Sequence, residues 1–206
     1  MINHQYSKSF DFESKFREYS KKYLAKNVEY FSFLRPLYEI QIVKLFSDYQ
    51  KYFSSFLSCN VAYQTFSGTK KPIKKWCGNC PKCLFIFTSL YPFLEERKLI
   101  NIFGKNLFKK RRLLPLMKEL IGEGKFKPFE CVGTKKESQA AFYLSWKKAK
   151  ESESDKLPFL LDYFEKKVLP KYPVLKRSSK EIMNSWSDQH DLPKSFEKIL
   201  IKAISL

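Results

Sequence analysis

Trp76-Cys77-Gly78-Asn79-Cys80-Pro81-Lys82-Cys83-Leu84-Phe85-Ile86-Phe87 is the stretch around which the rest of the chain can be read. Three cysteines at two-residue spacings are the pattern of a metal knuckle rather than of a disulfide framework. Gly78 lets the backbone turn tightly, so that loop amides can point at a thiolate while the sulfurs face one point. Pro81 suits the first position of a helix, which would carry Cys83 in its opening turn on the same side. Cys59, upstream across a polar loop, supplies the fourth thiolate. Four sulfurs fit a closed structural zinc site with no open coordination position. Unpaired or disulfide-bonded cysteines are the plain alternative. An iron–sulfur cluster is the rival metal centre, but its usual run ends in Cys-Pro, and here Cys83 is followed by Leu84.

Outward from the knuckle, Leu84 to Phe93 is apolar almost all round, as a buried helix is, so the metal is expected to pin a core helix. Upstream, Phe12, Phe16, Tyr19, Tyr23 and Leu24 recur at helical spacing and predict a helix over roughly residues 13–26. Phe31 to Leu57 reads as one long helical region that starts at Pro36, with Arg35 and Glu39 on one side. Downstream, a helix over Leu107 to Leu120 is closed by Gly122 and Gly124. Lys127 to Gly133 is extended or looped, and Thr134 with Glu137 forms a capping box that opens a helix to about Lys150. A charged linker over Glu151 to Lys156 precedes helices near 158–168 and 193–204. Strands are expected to be few and short, near the N-terminus and around Lys127 to Val132. The organisation expected is a zinc-bearing helical domain over 1–150 and a linker with a helical appendage over 151–206.

With 206 residues, 44% of them hydrophobic, the chain can bury one sizeable core. No apolar run reaches the roughly 20 residues of a membrane span, and the first residues lack the pattern of a signal peptide. Cysteines spaced for metal suit a reducing interior, and the expected location is the cytoplasm. The formal net charge is +18, with clusters at Lys70-Lys71, Lys74-Lys75, Lys109-Lys110-Arg111-Arg112 and Lys147-Lys148. Such charge, interleaved with 20 Phe and 12 Tyr, suits nucleic acid, but most aromatics recur at helix-core spacing. An anionic small substrate would benefit equally from that field.

Several phrases together carry a resemblance: Phe31-Ser32-Phe33-Leu34-Arg35-Pro36-Leu37-Tyr38-Glu39, Ser58-Cys59-Asn60, the knuckle, Ile102-Phe103-Gly104-Lys105-Asn106-Leu107, and Lys127-Pro128-Phe129-Glu130-Cys131-Val132-Gly133-Thr134. From about Ile2 to Leu144 the chain resembles the C-terminal half of the bacterial UDP-N-acetyl-α-D-muramoyl-L-alanyl-L-glutamate epimerases. The knuckle alone is looser and is also similar to that of deazaguanine synthases and other PP-loop ATP pyrophosphatases. The resemblance implies a mainly α chain with minor β, the helical zinc-bearing C-terminal portion of an α/β PP-loop (adenine nucleotide α hydrolase-like) enzyme. It implies ATP and Mg²⁺ as cosubstrates and a UDP-linked muramoyl dipeptide as substrate, whose terminal L-glutamate is inverted with release of AMP and pyrophosphate. The chemistry is coherent: adenylating the carboxylate removes its charge and turns the carbonyl into an electron sink for the α-carbanion.

The sequence departs from the family at one place. The Ser-Gly-Gly-x-Asp-Ser type loop belongs to the N-terminal half, and no Gly-rich strand-to-helix turn occurs in this chain. The expected partner is therefore an N-terminal half bearing that loop. Within the resemblance, Glu130 is a candidate base and Cys131 a proton-transfer thiol or substrate contact. A solvated loop carboxylate and a small buried hydrophobe are their plain alternatives. Arg35 with Glu39 is a candidate for substrate binding, Arg35 for its diphosphate or carboxylate, and Asn106 for orienting it. Ion pairing and capping are the alternatives. His4 is a candidate nucleotide contact, whereas His190 carries no assigned role. A zinc-stabilised RNA-binding module, as in some PP-loop proteins that act on tRNA, is the rival function. Nucleic acid is the less expected partner, and no membrane contact is expected.

Overall fold

The element that follows the knuckle forms for reasons visible in its first four residues. In a computed structural model, which describes residues 6–63, 75–152 and 156–205, helix α3 spans Pro81–Leu90 with Pro81 in its first turn. Cys80 is its N-cap, with extended backbone (φ −98, ψ 164) and a sulfur that accepts from the Cys83 amide. Leu84, Phe85, Phe87 and Leu90 are buried to 1% exposure or less. Each such side chain is worth about 1.5–3 kcal/mol of transfer free energy. The helix is buried on nearly every side, as its composition requires.

The chain divides into two compact units, Met1–Tyr38 with Ser185–Leu206, and Glu39–Asn184. The charged run from Glu151 falls inside the second.

In the second unit α3 packs against α2 (Glu39–Ser47), α4 (Glu96–Phe103), α5 (Leu114–Ile121) and α6 (Lys135–Glu151). Helix α7 (Phe159–Tyr163) runs on as a π-helical turn, Phe164–Val168, and α8 (Leu175–Met183) packs along α6. An aromatic series threads this core: Trp76 on Phe103 at 4.7 Å, Phe103 on Phe87 at 5.3 Å, Phe87 on Phe108 at 5.0 Å. It continues through Phe142, 5.9 Å from Phe108, to Phe164. Gly104 and Gly122, at φ +77 and +87, end α4 and α5 in the left-handed conformation that favours glycine.

Helix α6 begins with the expected capping box. The Thr134 side chain accepts from the Glu137 amide, and Glu137 Oε2 accepts from the Thr134 amide at 2.6 Å. Its other oxygen accepts the Glu39 amide at 2.6 Å, so one buried carboxylate serves the first turns of two helices. Farther along α6, Ser145 Oγ donates to the Thr88 carbonyl. Lys148 Nζ donates to the carbonyls of Tyr91 at 2.9 Å and Leu94 at 2.6 Å, closing the C-terminal end of α3.

Three expectations need correction. The region 31–57 is not one long helix: α2 starts at Glu39, where Glu137 caps it, and Pro36 lies in the preceding turns. It stops at Ser47 because the next amides bond three residues back (Asp48 to Leu45, Tyr49 to Phe46) and a short 3₁₀ turn follows. The helix expected over 13–26 starts earlier, at Phe10, where Ser9 caps it. No strand forms among the described residues. Over Lys127 to Val132, Pro128 has no amide to donate, and the Val132 amide turns back onto the Glu130 carbonyl at 2.8 Å. The mainly α expectation therefore holds, and the described residues contain none of the expected minor β.

In the first unit α1 (Phe10–Tyr19) leads into a π-helical turn, Ser20–Leu24, and α9 (Lys194–Ile204) closes the chain. Phe196 of α9 packs on Phe31 at 5.3 Å and Phe33 at 5.9 Å. Glu13, 2% exposed, pairs with Arg35 Nε at 2.6 Å and accepts the Ser32 amide. No helix among the described residues is long and apolar enough to cross a membrane.

Candidate metal centre

The sulfurs of Cys59, Cys77, Cys80 and Cys83 all lie within 4.8 Å of one another. Cys59 and Cys80 are separated by 3.9 Å and Cys77 and Cys83 by 3.7 Å. A tetrahedral ion with metal–sulfur bonds near 2.3 Å places its sulfurs about 3.8 Å apart, so the donor set fits such an ion. Three of the four side chains are buried.

The knuckle backbone supports these sulfurs. Gly78, at φ +63, turns the chain so that its amide points at Cys83 Sγ at 3.3 Å. The Asn79 amide points at Cys77 Sγ, the Cys77 amide at Cys59 Sγ, both at 3.4 Å, and the Cys83 amide at Cys80 Sγ at 3.5 Å. Every sulfur thus receives one backbone N–H, which favours its thiolate form. Hydrogen bonding from the Cys83 thiol, helped by the Cys83 amide and opposed by burial, holds the Cys80 pKa down at about 5. Burial pushes Cys77 up to about 11, and the bond to Cys80 together with burial pushes Cys83 up. Without a cation the cluster keeps protons, and with one it can give them up.

Two cations brace the loop from outside. Lys110 Nζ donates to the Gly78 carbonyl at 2.5 Å and to Asn79 Oδ1 at 2.7 Å, and Arg112 donates to the same Asn79 oxygen at 2.6 Å. Burial lowers the Lys110 pKa, as do Lys105 and Arg112, while Cys77 and Cys83 oppose that shift. The sequence showed Lys109 to Arg112 only as a charge cluster; nothing in the spacing tied it to the knuckle.

Glu130 stands at the N-terminal end of α3. Burial raises its pKa and the nearby Cys80 charge adds to this, whereas the Lys82 backbone N–H opposes the shift. Its Oε2 is buried without a hydrogen-bond partner. Cys131 beside it is half-buried, and on the other flank Phe129 is 86% exposed. Glu130 therefore lies beside the first turn of the knuckle helix, with Cys131 next to it in the chain.

The other expected site residues hold structural places. Asn106 is buried, accepts the Phe108 amide at 2.8 Å as a cap, and donates to Glu96 Oε1 at 2.9 Å. Arg35 donates to Glu13, to the Lys8 carbonyl from both terminal nitrogens at 3.3 Å, and to the Ser9 carbonyl. Glu39 opens α2 in the other unit. His190 accepts the Leu192 amide and packs its ring edge-on against Trp186. His4 and the lysines at 70, 71 and 74 lie outside the described residues.

Family comparison covers the same residues. The model of the MurL C-terminal domain matches residues 55–170, which contain all four cysteines, Glu130 and Cys131, and the model of the MurL N-terminal domain matches residues 1–33. Among curated proteins, the UDP-N-acetyl-α-D-muramoyl-L-alanyl-L-glutamate epimerase of Xanthomonas oryzae pv. oryzae (strain MAFF 311018) is 39% identical over 140 residues, covering 68% of this chain and 31% of that protein. The proteins of the same name from Micromonospora sp. (strain ATCC 39149 / NRRL 15099 / SCC 1413) and Salinispora tropica are each 36% identical over 143 residues. Those matches cover 69% of this chain and 31% and 30% of the relatives. The chain thus spans about a third of the length of the curated relatives it matches. No solved structure matches it. With more than half of its residues under the C-terminal domain model, the chain belongs to the MurL C-terminal domain family.

Proposed function

We propose that this chain provides the helical, metal-stapled part of an ATP-dependent epimerase. That enzyme converts the terminal L-glutamate of UDP-N-acetylmuramoyl-L-alanyl-L-glutamate to the D form, in the cytoplasm, during the building of peptidoglycan precursors. The observation that carries the reading is the similarity over residues 55–170 to a domain of epimerases so named. The metal is zinc, because four thiolates in a closed tetrahedral set offer soft ligands and no open position. Zinc there supplies folding energy rather than chemistry.

Adenylation of the glutamate carboxylate belongs to a nucleotide-binding N-terminal half with its PP-loop, ATP and Mg²⁺. In this chain the proton-transfer candidates are Glu130 and Cys131. Glu130 offers one carboxylate oxygen with no protein partner in a partly desolvated place, which suits removal of an α-proton. Cys131, the next residue, is a thiol that can return a proton from a different direction. Inversion needs two such groups on opposite faces of the planar carbanion.

Combined with an N-terminal half bearing the PP-loop, the chain should invert the dipeptide's glutamate and exchange its α-hydrogen with solvent deuterium, read by mass spectrometry and chiral analysis. Alone it should release no pyrophosphate from ATP. Glu130→Gln and Cys131→Ser should reduce exchange more than adenylation. Tight RNA binding that persists in high salt, with no glutamate exchange in the reconstituted pair, would replace this reading by the RNA-binding one.

A further inference from the structure

At the residues that lead into the knuckle, Lys75 and Trp76, a cleft of about 420 Å³ opens between the turns after α2 and helix α4. Its volume falls within the roughly 300–1,000 Å³ of small-molecule sites. Phe53 and Ile102 give it apolar lining, to which the buried Trp76 adds. Gln50 and Asn101 each present a primary amide, one from either side. Among the described residues, Lys75 and Lys98 are the only ionisable groups in its lining. Lys75 donates to the carbonyl of Ser54, which also lines the cleft. Lys98 keeps a long 3.8 Å pairing with Glu95, itself outside the lining and well exposed.

This combination separates the cleft from two others among the described residues. One of those, near Phe159, mixes its lysines with Asp162 and Glu165. The other, near Tyr30, holds Glu18, Glu29 and Asp191. In the first, two carboxylates stand among four cations and pair with Lys150 and Lys166; in the second, three carboxylates face three cations, and Asp191 pairs with Arg17. The cleft at Phe53 has no carboxylate among its described lining residues, so a ligand meets two ammonium groups there, Lys98 in a long pair with the exposed Glu95 and Lys75 bonded to a carbonyl.

We infer that this cleft binds a nucleoside diphosphate, the base against Phe53 and Ile102, its polar edge read by Gln50 and Asn101, and the phosphates held by Lys75 and Lys98. A primary amide donates and accepts from adjacent atoms, which matches the alternating carbonyl and N–H edge of a nucleobase. An inorganic phosphate would use the lysines and leave the apolar lining and amides idle. A purely apolar ligand would leave the lysines without a function. Two sources supply such a group: the uridine end of the proposed substrate, or the adenine nucleotide of the activation step. The choice of uridine rests on the proposed function; the binding site itself does not.

The test uses the full zinc-loaded chain and isothermal titration with UDP, ADP and inorganic pyrophosphate at low and moderate salt. Either nucleotide should bind more tightly than pyrophosphate, with affinity that falls as salt rises. Lys98→Glu should weaken nucleotide binding at least about tenfold, with helix content and zinc stoichiometry unchanged. Asn101→Ala should cost nucleotide affinity and leave pyrophosphate affinity alone. Preference for UDP assigns the cleft to the substrate's uridine end, and preference for ADP to the activating nucleotide. No nucleotide binding up to millimolar concentration, or binding indifferent to both substitutions, overturns the inference. The two readings fail separately. A reconstituted pair that epimerises while Lys98→Glu leaves KM for both nucleotide substrates intact removes the cleft and keeps the epimerase. UDP binding that both substitutions abolish, with no epimerisation, does the reverse.

Discussion

Replacing Cys80 by Ser separates two tasks that one sulfur performs. Cys80 is the N-cap of α3 and a member of the four-thiol cluster. Serine is among the best N-caps, so its hydroxyl can accept the Cys83 amide and the cap survives the change. What is lost is a metal ligand. Structural zinc binds with roughly 10–16 kcal/mol in small peptides at neutral pH, but only the excess of free metal over its dissociation constant appears as stability. With free zinc about a thousandfold above that constant, the contribution is about 4 kcal/mol. For a unit of this size each 1 kcal/mol moves Tm by about 2–4 °C, so the expected fall is about 8–16 °C.

The assay joins metal analysis, calorimetry with and without chelator, and hydrogen exchange. Wild-type protein should be colourless and carry about one zinc per chain, and chelator should bring its Tm down to that of Cys80→Ser. The variant should ignore chelator. Exchange should rise at the Lys82 amide and across Leu84 to Phe87 before it rises at the end of α3, because Lys148 still binds the Tyr91 and Leu94 carbonyls. A visible charge-transfer band would replace zinc by an iron–sulfur cluster. Metal-free protein whose Tm is unchanged by chelator and by the substitution would refute the reasoning.

Zinc uptake at neutral pH should release at least two protons, from Cys77 and Cys83, whose thiols are held protonated, while Cys80 at about 5 is already ionised. Affinity should therefore fall as pH falls, and a pH-indicator titration showing no proton release would contradict the cluster's charge state. Arg35→Met leaves the buried Glu13 carboxylate without its partner and should cost the first unit about 3–5 kcal/mol, read by urea unfolding. A change confined to KM of the reconstituted enzyme, with stability intact, would instead support the substrate-binding expectation for Arg35. Gly133→Ala places a methyl 2.6 Å from Phe85 Cζ and 3.0 Å from Glu137 Oε2, and should lower stability by about 1–3 kcal/mol, read as a drop in Tm.

Local chemistry was the legible part of this sequence. The knuckle, Pro81 at the start of α3 and the Thr134–Glu137 box each depend on residues within a few positions, and each is present as read. Long-range partners were not legible. Nothing near Glu39 announces that its amide is capped from Glu137, so the start of α2 was misplaced at Pro36. Glu13 lies 22 positions from Arg35, and the pairing rule for helices pointed instead to Glu39. Helix α8 escaped notice because Leu175 and Ile182 are its main apolar anchors in a run otherwise rich in lysine and serine. The run Lys109 to Arg112 looked like solvated charge, yet Lys110 and Arg112 reach back over 30 residues to brace Asn79.

Helix α3 explains how a closed metal site can matter to a reaction it does not touch. Its first turn is fixed by Cys80 and Cys83 in the cluster, its last by Lys148 and by Ser145 on the Thr88 carbonyl. Between these ends Phe85 packs so closely on Gly133 that no side chain fits there. The loop from Lys127 to Gly133 is thereby pressed against α3, and the Lys82 amide meets Glu130 at its N-terminal end. The loop's own bonds, Lys127 Nζ on the Val132 carbonyl and the Val132 amide on the Glu130 carbonyl, are too local to place it on the unit. Its position is inherited from the helix, and the helix takes its starting point from the four cysteines. A structural ion held at that place would set where Glu130 stands without joining the proposed proton transfer.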